Sequence, residues 1–257
     1  MDALTTLRLQ IEWGADEALA DAPLDRLRPP EAVRPAGATI ASAPPSVGRG
    51  LPPAARATLA AAQADTPEAL QAALAGFDGC ALRDTASRLV FDAGNPASRL
   101  MLIGDTPGEA EDRAGRPFAG PAGAYLDRML GSIGLGREQV LIGMVVPWRP
   151  PGGRPPTEAE IACCLPFLMR HIAIAQPRRL VLLGSVVTRA VLPMPSGSRR
   201  LPRGEWLGIS VSGLATPIPA LPTASPATLL GKPAERRRAW AELRMVKRAL
   251  DQELANS

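Results

Sequence analysis

The sequence predicts an α/β fold: a three-layer α/β/α arrangement around a central, mainly parallel four-stranded sheet. Two observations carry that prediction. Short apolar runs bounded by Gly, such as Leu100-Met101-Leu102-Ile103 before Gly104, are continuous rather than alternating, as in strands buried on both faces. These runs alternate along the chain with segments of helical periodicity, which places a parallel sheet between two layers of helices.

Taken in order, residues 1–20 space Leu4, Leu7, Ile11, Ala15 and Leu19 as a helix, which either docks back on the domain or meets a protein partner. Residues 21–53 are rich in Pro and Ala, lack periodicity, and are expected to form a flexible linker. Residues 54–79 form a helical lead-in: an Ala-rich helix over 54–64, then one that Thr66 caps and Pro67 opens, reaching about Ala75. The domain proper spans 80–257. Its first strand ends at Gly104, and Asp105-Thr106-Pro107-Gly108 form a turn that brings backbone close to a ligand.

A helix over 120–133 turns Tyr125, Leu126, Met129 and Leu130 inward, and 139–146 is the second buried strand. Thr157-Glu158-Ala159-Glu160 is a capping box that opens a helix to about Ala175. The third strand covers 179–184, with Ser185 capping the helix after it. Residues 209–211 and 218–221 supply the last strand and its approach. A closing helix over 235–254 aligns Trp240, Leu243, Val246 and Leu250 on one face.

Composition excludes several classes. The chain has 257 residues, 46% of them hydrophobic and 21% charged, as expected of a globular protein rather than a disordered one. Three cysteines, two of them adjacent, do not make a disulfide framework, so a reducing cytoplasm is the expected compartment. The start of the chain lacks the basic-then-apolar layout of a signal peptide, and the longest apolar run, 180–192, is too short to span a bilayer and contains Arg189. The net charge of +4 resides on Arg, Lys occurring only at 232 and 247, and permits contact with phosphates.

Loops at the carboxyl ends of parallel strands line the ligand crevice of such a sheet. Phe118, in Pro117-Phe118-Ala119-Gly120, is therefore either an aromatic platform for a flat ligand or a cap on the core. A phosphate-loop nucleotide enzyme is a poor reading of Gly104 to Gly108, since no Gly-Lys-Ser/Thr follows. A triad of Ser225, His171 and Asp105 lacks a nucleophile elbow.

The stretch from Arg99 to Gly123, Val145-Val146-Pro147-Trp148-Arg149-Pro150-Pro151-Gly152-Gly153-Arg154, Glu160-Ile161-Ala162-Cys163-Cys164-Leu165-Pro166-Phe167-Leu168 and Leu182-Leu183-Gly184 come in an order and spacing that resemble the uracil-DNA glycosylase superfamily. The resemblance covers about 80–250 and lies nearest the bacterial iron–sulfur type, family 4. It implies base-excision DNA repair: a base is flipped from single- or double-stranded DNA into a pocket and its N-glycosidic bond is hydrolysed by a monomeric protein.

By that resemblance Phe118 stacks on the flipped base, and Asp105 stands where the family has Glu in Gly-Glu-Ala-Pro-Gly, with Thr106 beside it. The family's base-reading Asn is replaced by Met144, which neither donates nor accepts well, and its His by Ser225, which donates without cationic character. Catalysis would then fall to Asp105 and Ser225. The expected result is weak activity or altered base specificity; the alternative is a catalytically silent relative that binds DNA or a damaged base. Pro107, Gly108, Arg149, Arg154 and Pro226 would handle DNA, with Leu229 and Leu230 as the wedge and Arg203 and Arg236 to Arg238 adding charge.

His171 is expected on a helix surface, away from this chemistry. Of the family's four cluster cysteines, Cys80 and Cys164 match two, whereas Phe77 and Trp148 occupy the other positions. Two thiolates do not make a [4Fe–4S] ligand set, so no cofactor is expected.

Overall fold

The structure, a computed structural model, describes residues 50–193 and 200–255, which belong to one compact unit. The helix expected over 1–20 and most of the linker lie outside the described residues.

Five strands come within reach of sequence patterning and one does not. Strands β2 (Leu100–Gly104), β3 (Leu141–Met144), β4 (Arg179–Leu183) and β6 (Ile218–Thr223) form the parallel centre, and short antiparallel strands β1 (Asp92–Gly94) and β5 (Leu207–Ile209) close its edges. The order is β1-β3-β2-β4-β6-β5, so the four expected strands become the core of a six-stranded sheet. Both expected extras at the last strand are shifted: the approach is β5, a full edge strand, and β6 runs on to Thr223. Pro222 is accommodated in β6 because β5 pairs only as far as Ala220, leaving that side of the strand without a neighbour.

The continuous apolar runs divide between two cores, alternate residues facing opposite ways. Met101, Ile103, Leu141, Leu180 and Leu182 join one cluster; Leu100, Leu102, Ile142, Val181 and Leu183 join the other. The first is covered by helices α1 (Pro53–Ala62) and α2 (Pro67–Gly76) together with α6 (Glu158–Ala175). A short helix, α3 (Leu82–Thr85), follows α2. Arg170 ties this layer together, donating from Nε to the Ala64 carbonyl at 2.7 Å and pairing with Asp65. Helices α5 (Pro121–Gly131) and α9 (Arg236–Ala255) cover the second core.

Capping follows the sequence at two of three places. Thr66 accepts from the Ala69 N–H at the start of α2, and Thr157 and Glu160 exchange hydrogen bonds at the start of α6. Ser185, expected as a cap, is instead the first residue of α7 (Ser185–Val191), and Gly184 precedes it at φ 137°. His171 also departs from expectation. It is buried, stacked on Phe91 at 4.7 Å and facing Asp92 at 3.3 Å, because its helix face is the one pressed on the sheet. On α9, Leu243 and Val246 are buried as expected, but Trp240 is 43% exposed.

The chain leaves β2 toward β3 on one side and later returns to β4 on the other. A crevice opens at such a reversal, at the carboxyl ends of the strands. In register there, Gly104 sits between Met144 and Leu183, and Leu183 faces Thr223. The residues leaving those four strands build the site.

Candidate active site

Asp105, Thr106, Phe118, Met144 and Ser225 line one cavity of about 670 Å³, together with Pro107, Gly108 and Glu111. Four strand ends and two helix starts bring them there. Gly104 is required at the floor: a Cβ on it would lie 2.6 Å from the Met144 sulfur and 2.9 Å from the Phe118 ring. The aromatic ring and the thioether thus meet over that glycine.

Phe118 is held in a conformation that side chains disfavour, φ 50°. Its carbonyl accepts from Arg137 Nη2 at 2.7 Å, and Gly123 leaves room, since a Cβ there would fall 1.8 Å from the same oxygen. The following Gly120 precedes Pro121, which opens α5 with the fixed φ a first helical turn wants.

The Asp105 carboxylate lies against Gly184 and accepts the Val187 N–H at 2.8 Å. Burial lifts its carboxyl to about 6, against the opposing pull of the backbone N–H groups of Val187, Val186 and Ser185. Ser225 caps α8 (Pro226–Gly231), accepting from the Thr228 N–H at 3.1 Å and lying 2.9 Å from the Thr228 hydroxyl. Its oxygen is engaged as the cap, and either hydroxyl of the Ser225–Thr228 pair can be the donor.

Glu111 was visible in the sequence only as part of an acidic cluster. It lies in α4 (Glu109–Ala114), is buried, lines the cavity, and accepts the Gly108 N–H at 3.1 Å, which fixes the turn after Asp105. The Asp-Thr-Pro-Gly turn followed by Glu at the third helical position was the available signal.

The residues expected to handle DNA separate into two groups. Arg149, half-buried, keeps an Nε with no acceptor among the described residues. Leu230 is exposed at 37%. Pro107 and Gly108 belong with these, lining the cavity, whereas Arg154, Leu229 and Pro226 are committed elsewhere. Arg154 forms a two-pronged ion pair with Glu160 at 2.9 and 2.6 Å, which holds the Glu160 carboxyl down at about 2. Leu229, expected in the wedge, is buried in the core and anchors α8, and Pro226 is buried beside it.

Arg203 is saturated by two carboxylates, Glu242 at 2.7 Å and Glu235 at 2.6 Å. The Thr223 hydroxyl donates to the same buried Glu242 at 2.5 Å, so the network pins α9 to the strand that ends at Ser225.

Cys80, Cys163 and Cys164 are all buried and unbridged. The Cys164 thiol donates to the Cys80 sulfur, which brings Cys80 down to about 7 and pushes Cys164 up. Cys163 turns away to the Gly79 carbonyl at 3.4 Å. Phe77 and Trp148 fill the same core, Phe77 edge-on to Phe167 at 5.3 Å. Among the described residues no three His, Cys, Asp or Glu side chains are placed to hold a metal ion. Two thiols and two aromatic rings do not fit an iron–sulfur cluster.

The fold and this crevice define a class: residues 91–244 match the uracil DNA glycosylase superfamily, and the chain belongs to it. Within that superfamily it is similar to proteins named type-4 uracil-DNA glycosylase. That of Pyrobaculum aerophilum is 35% identical over 170 residues, covering 65% of this chain and 86% of the relative. That of Saccharolobus solfataricus is 37% identical over 175 residues, 66% and 80% of the two chains, and that of Thermotoga maritima 39% over 132 residues, 50% and 69%.

Proposed function

We propose that the chain acts in base-excision DNA repair as a glycosylase with an altered base pocket, drawing a base from single- or double-stranded DNA into the cavity and hydrolysing its N-glycosidic bond. The carrying observation is that Asp105, Phe118, Met144 and Ser225 line one cavity. The flipped base stacks on Phe118. Water adds to the sugar carbon as the bond to the base nitrogen breaks, and the departing base takes up the proton released. Ionised Asp105 stabilises the positive sugar and orients the water. Ser225 donates its hydroxyl proton to the base oxygen on which negative charge builds, with the Thr228 hydroxyl in turn donating to Ser225.

Met144 contributes no polar contact, so the pocket discriminates uracil poorly. A Ser in place of a stronger donor lowers the rate by about a hundred- to a thousandfold. Arg149 and Leu230 meet the phosphate backbone and the opened stack. A silent, DNA-binding reading is favoured by one observation, the turn of the Asp105 carboxylate onto the Val187 N–H.

Oligonucleotides carrying uracil, hypoxanthine or xanthine, followed by cleavage of abasic sites, test the reading. Slow strand scission is expected from the wild type, none from Asp105→Ala, and a gain of about a hundredfold on uracil from Met144→Asn/Ser225→His. No scission of any substrate by the wild type, with activity only in the double variant, would establish the silent reading instead.

The same reading has the protein working without an iron–sulfur cluster, as a monomer in the cytoplasm, with the N-terminal helix available to a protein partner. Iron and acid-labile sulfide in anaerobically purified protein would contradict the first point. No helix among the described residues is long and apolar enough to cross a membrane.

A further inference from the structure

A second hollow, of about 240 Å³, is lined by Tyr125, Arg128, Leu229, Arg236 and Trp240. Arg128 and Arg236 both lie over the Tyr125 ring, at 5.2 and 5.8 Å from its centre. Neither guanidinium has a carboxylate partner among the described residues, and no acidic side chain lines the groove. Arg236 also donates to the carbonyls of Leu229 and Leu230 at 2.9 and 3.3 Å, fixing it at the end of α8. Trp240 stands exposed at the groove in a chain whose aromatic content is only 4%.

The groove and the base cavity share two walls. Along α5, Pro121 and Ala122 face the cavity, and Tyr125 and Arg128 the groove; along α8, Ala227 faces the cavity and Leu229 the groove. Helix α8 has six residues, about 9 Å of rise, so a strand whose base occupies the cavity reaches the groove with a neighbouring nucleotide. Unpaired cations beside an exposed indole match a polyanion that carries flat bases, and match neither a neutral apolar partner nor a cation.

We propose that this groove is a binding site for single-stranded DNA, in which an unpaired base flanking the flipped one stacks on Trp240 while its phosphates meet Arg128 and Arg236. The proposal rests on the DNA-binding reading above and adds to it a preference for unpaired flanks, since a base locked in a duplex presents no free face to the indole.

The test uses the full chain and two fluorescein-labelled probes, a single strand and a duplex, each with one central abasic-site analogue, followed by anisotropy. Trp240→Ala is expected to weaken single-strand binding roughly tenfold and Trp240→Phe less than about threefold, with duplex binding little changed. Arg128→Gln/Arg236→Gln should weaken the single strand and flatten its salt dependence. Tryptophan emission should be quenched by the single strand, and that quenching lost in Trp240→Phe.

Equal single-strand affinity in wild type and Trp240→Ala, or quenching that survives in Trp240→Phe, overturns the proposal. So does displacement of the strand by poly-glutamate of matched charge, which would mark the groove as a site for an acidic protein segment. If the wild type binds neither probe, the DNA-binding reading itself falls. Binding that depends on Phe118 but not on Trp240 removes the groove alone.

Discussion

Replacing Asp105 by Asn should make the protein more stable, and only above a definite pH. The carboxyl titrates at about 6 in the folded chain, against an ordinary value of 3.8, chiefly because it is buried. Well below 3.8 it is protonated whether the chain is folded or not, and folding is unaffected. Between about 4 and 6 the unfolded chain releases the proton that the folded one retains, so stability falls as pH rises. Above about 6 the whole deficit is present, about 3 kcal/mol for a carboxyl moved from 3.8 to about 6. Asn keeps one oxygen to accept the Val187 N–H and carries no charge to desolvate. Thermal melts from pH 4 to 8 on both proteins measure the difference. The advantage of Asp105→Asn should grow through pH 4–6 and then stay flat, approaching roughly 6–12 °C in Tm at neutral pH. An advantage independent of pH, or one that grows as pH falls, would refute the assignment of burial as the cause. In the excision assay the wild-type rate should rise with pH through about 6 as the carboxylate forms.

Two further perturbations probe how the site is held. Gly184→Ala places a Cβ 2.2 Å from Asp105 Oδ2 at φ 137°, so it should cost about 1–3 kcal/mol in backbone strain alone and push the carboxylate away, measured as a lower Tm together with loss of the rise in rate near pH 6. Glu242→Gln leaves the Arg203 charge half-compensated and should destabilise by about 3–5 kcal/mol in urea melts, whereas Arg203→Met/Glu242→Met should cost less than either single change.

What the sequence could and could not reveal follows from which forces act locally. Strands β2, β3 and β4 are legible because both faces are buried and the apolar run is continuous. Strand β1 is not, since Asp92-Ala93-Gly94 has no pattern of its own and is extended only by pairing with β3. His171 reads as a surface residue by its polarity, although Phe167, Cys164 and Leu168, one and two turns earlier on the same face, mark that face as inward. Leu229 and Leu230 are adjacent, and only the tilt of α8 decides which is buried. Trp240 sits at the edge of the apolar stripe that Leu243 and Val246 define, where periodicity cannot say on which side of the waterline a large ring falls. Arg154 and Arg203 look free in the sequence because their partners, Glu160 and Glu242, are assigned only by folding.

The site's own energetics bear on whether it is used. A carboxylate buried at a cost of about 3 kcal/mol and a phenylalanine held at φ 50° at about 1–3 kcal/mol are both expensive ways to fill space. Each has a simpler substitute: Asn at 105 removes the buried charge, and Gly at 118 relieves the backbone. The surrounding chain instead commits Gly104, Gly123, Gly184 and Arg137 to keeping both in place. Met144 and Ser225, by contrast, carry no comparable strain; Ser225 even stabilises α8 as its cap, a contribution of about 1 kcal/mol. On the proposed reading, the strained half of the pocket is the half that would stack a base and stabilise positive charge on its sugar, and the relaxed half is the one that would read the base edge. That division favours excision with loosened base selection over silence, because a pocket kept only for binding has no need of the ionised Asp105.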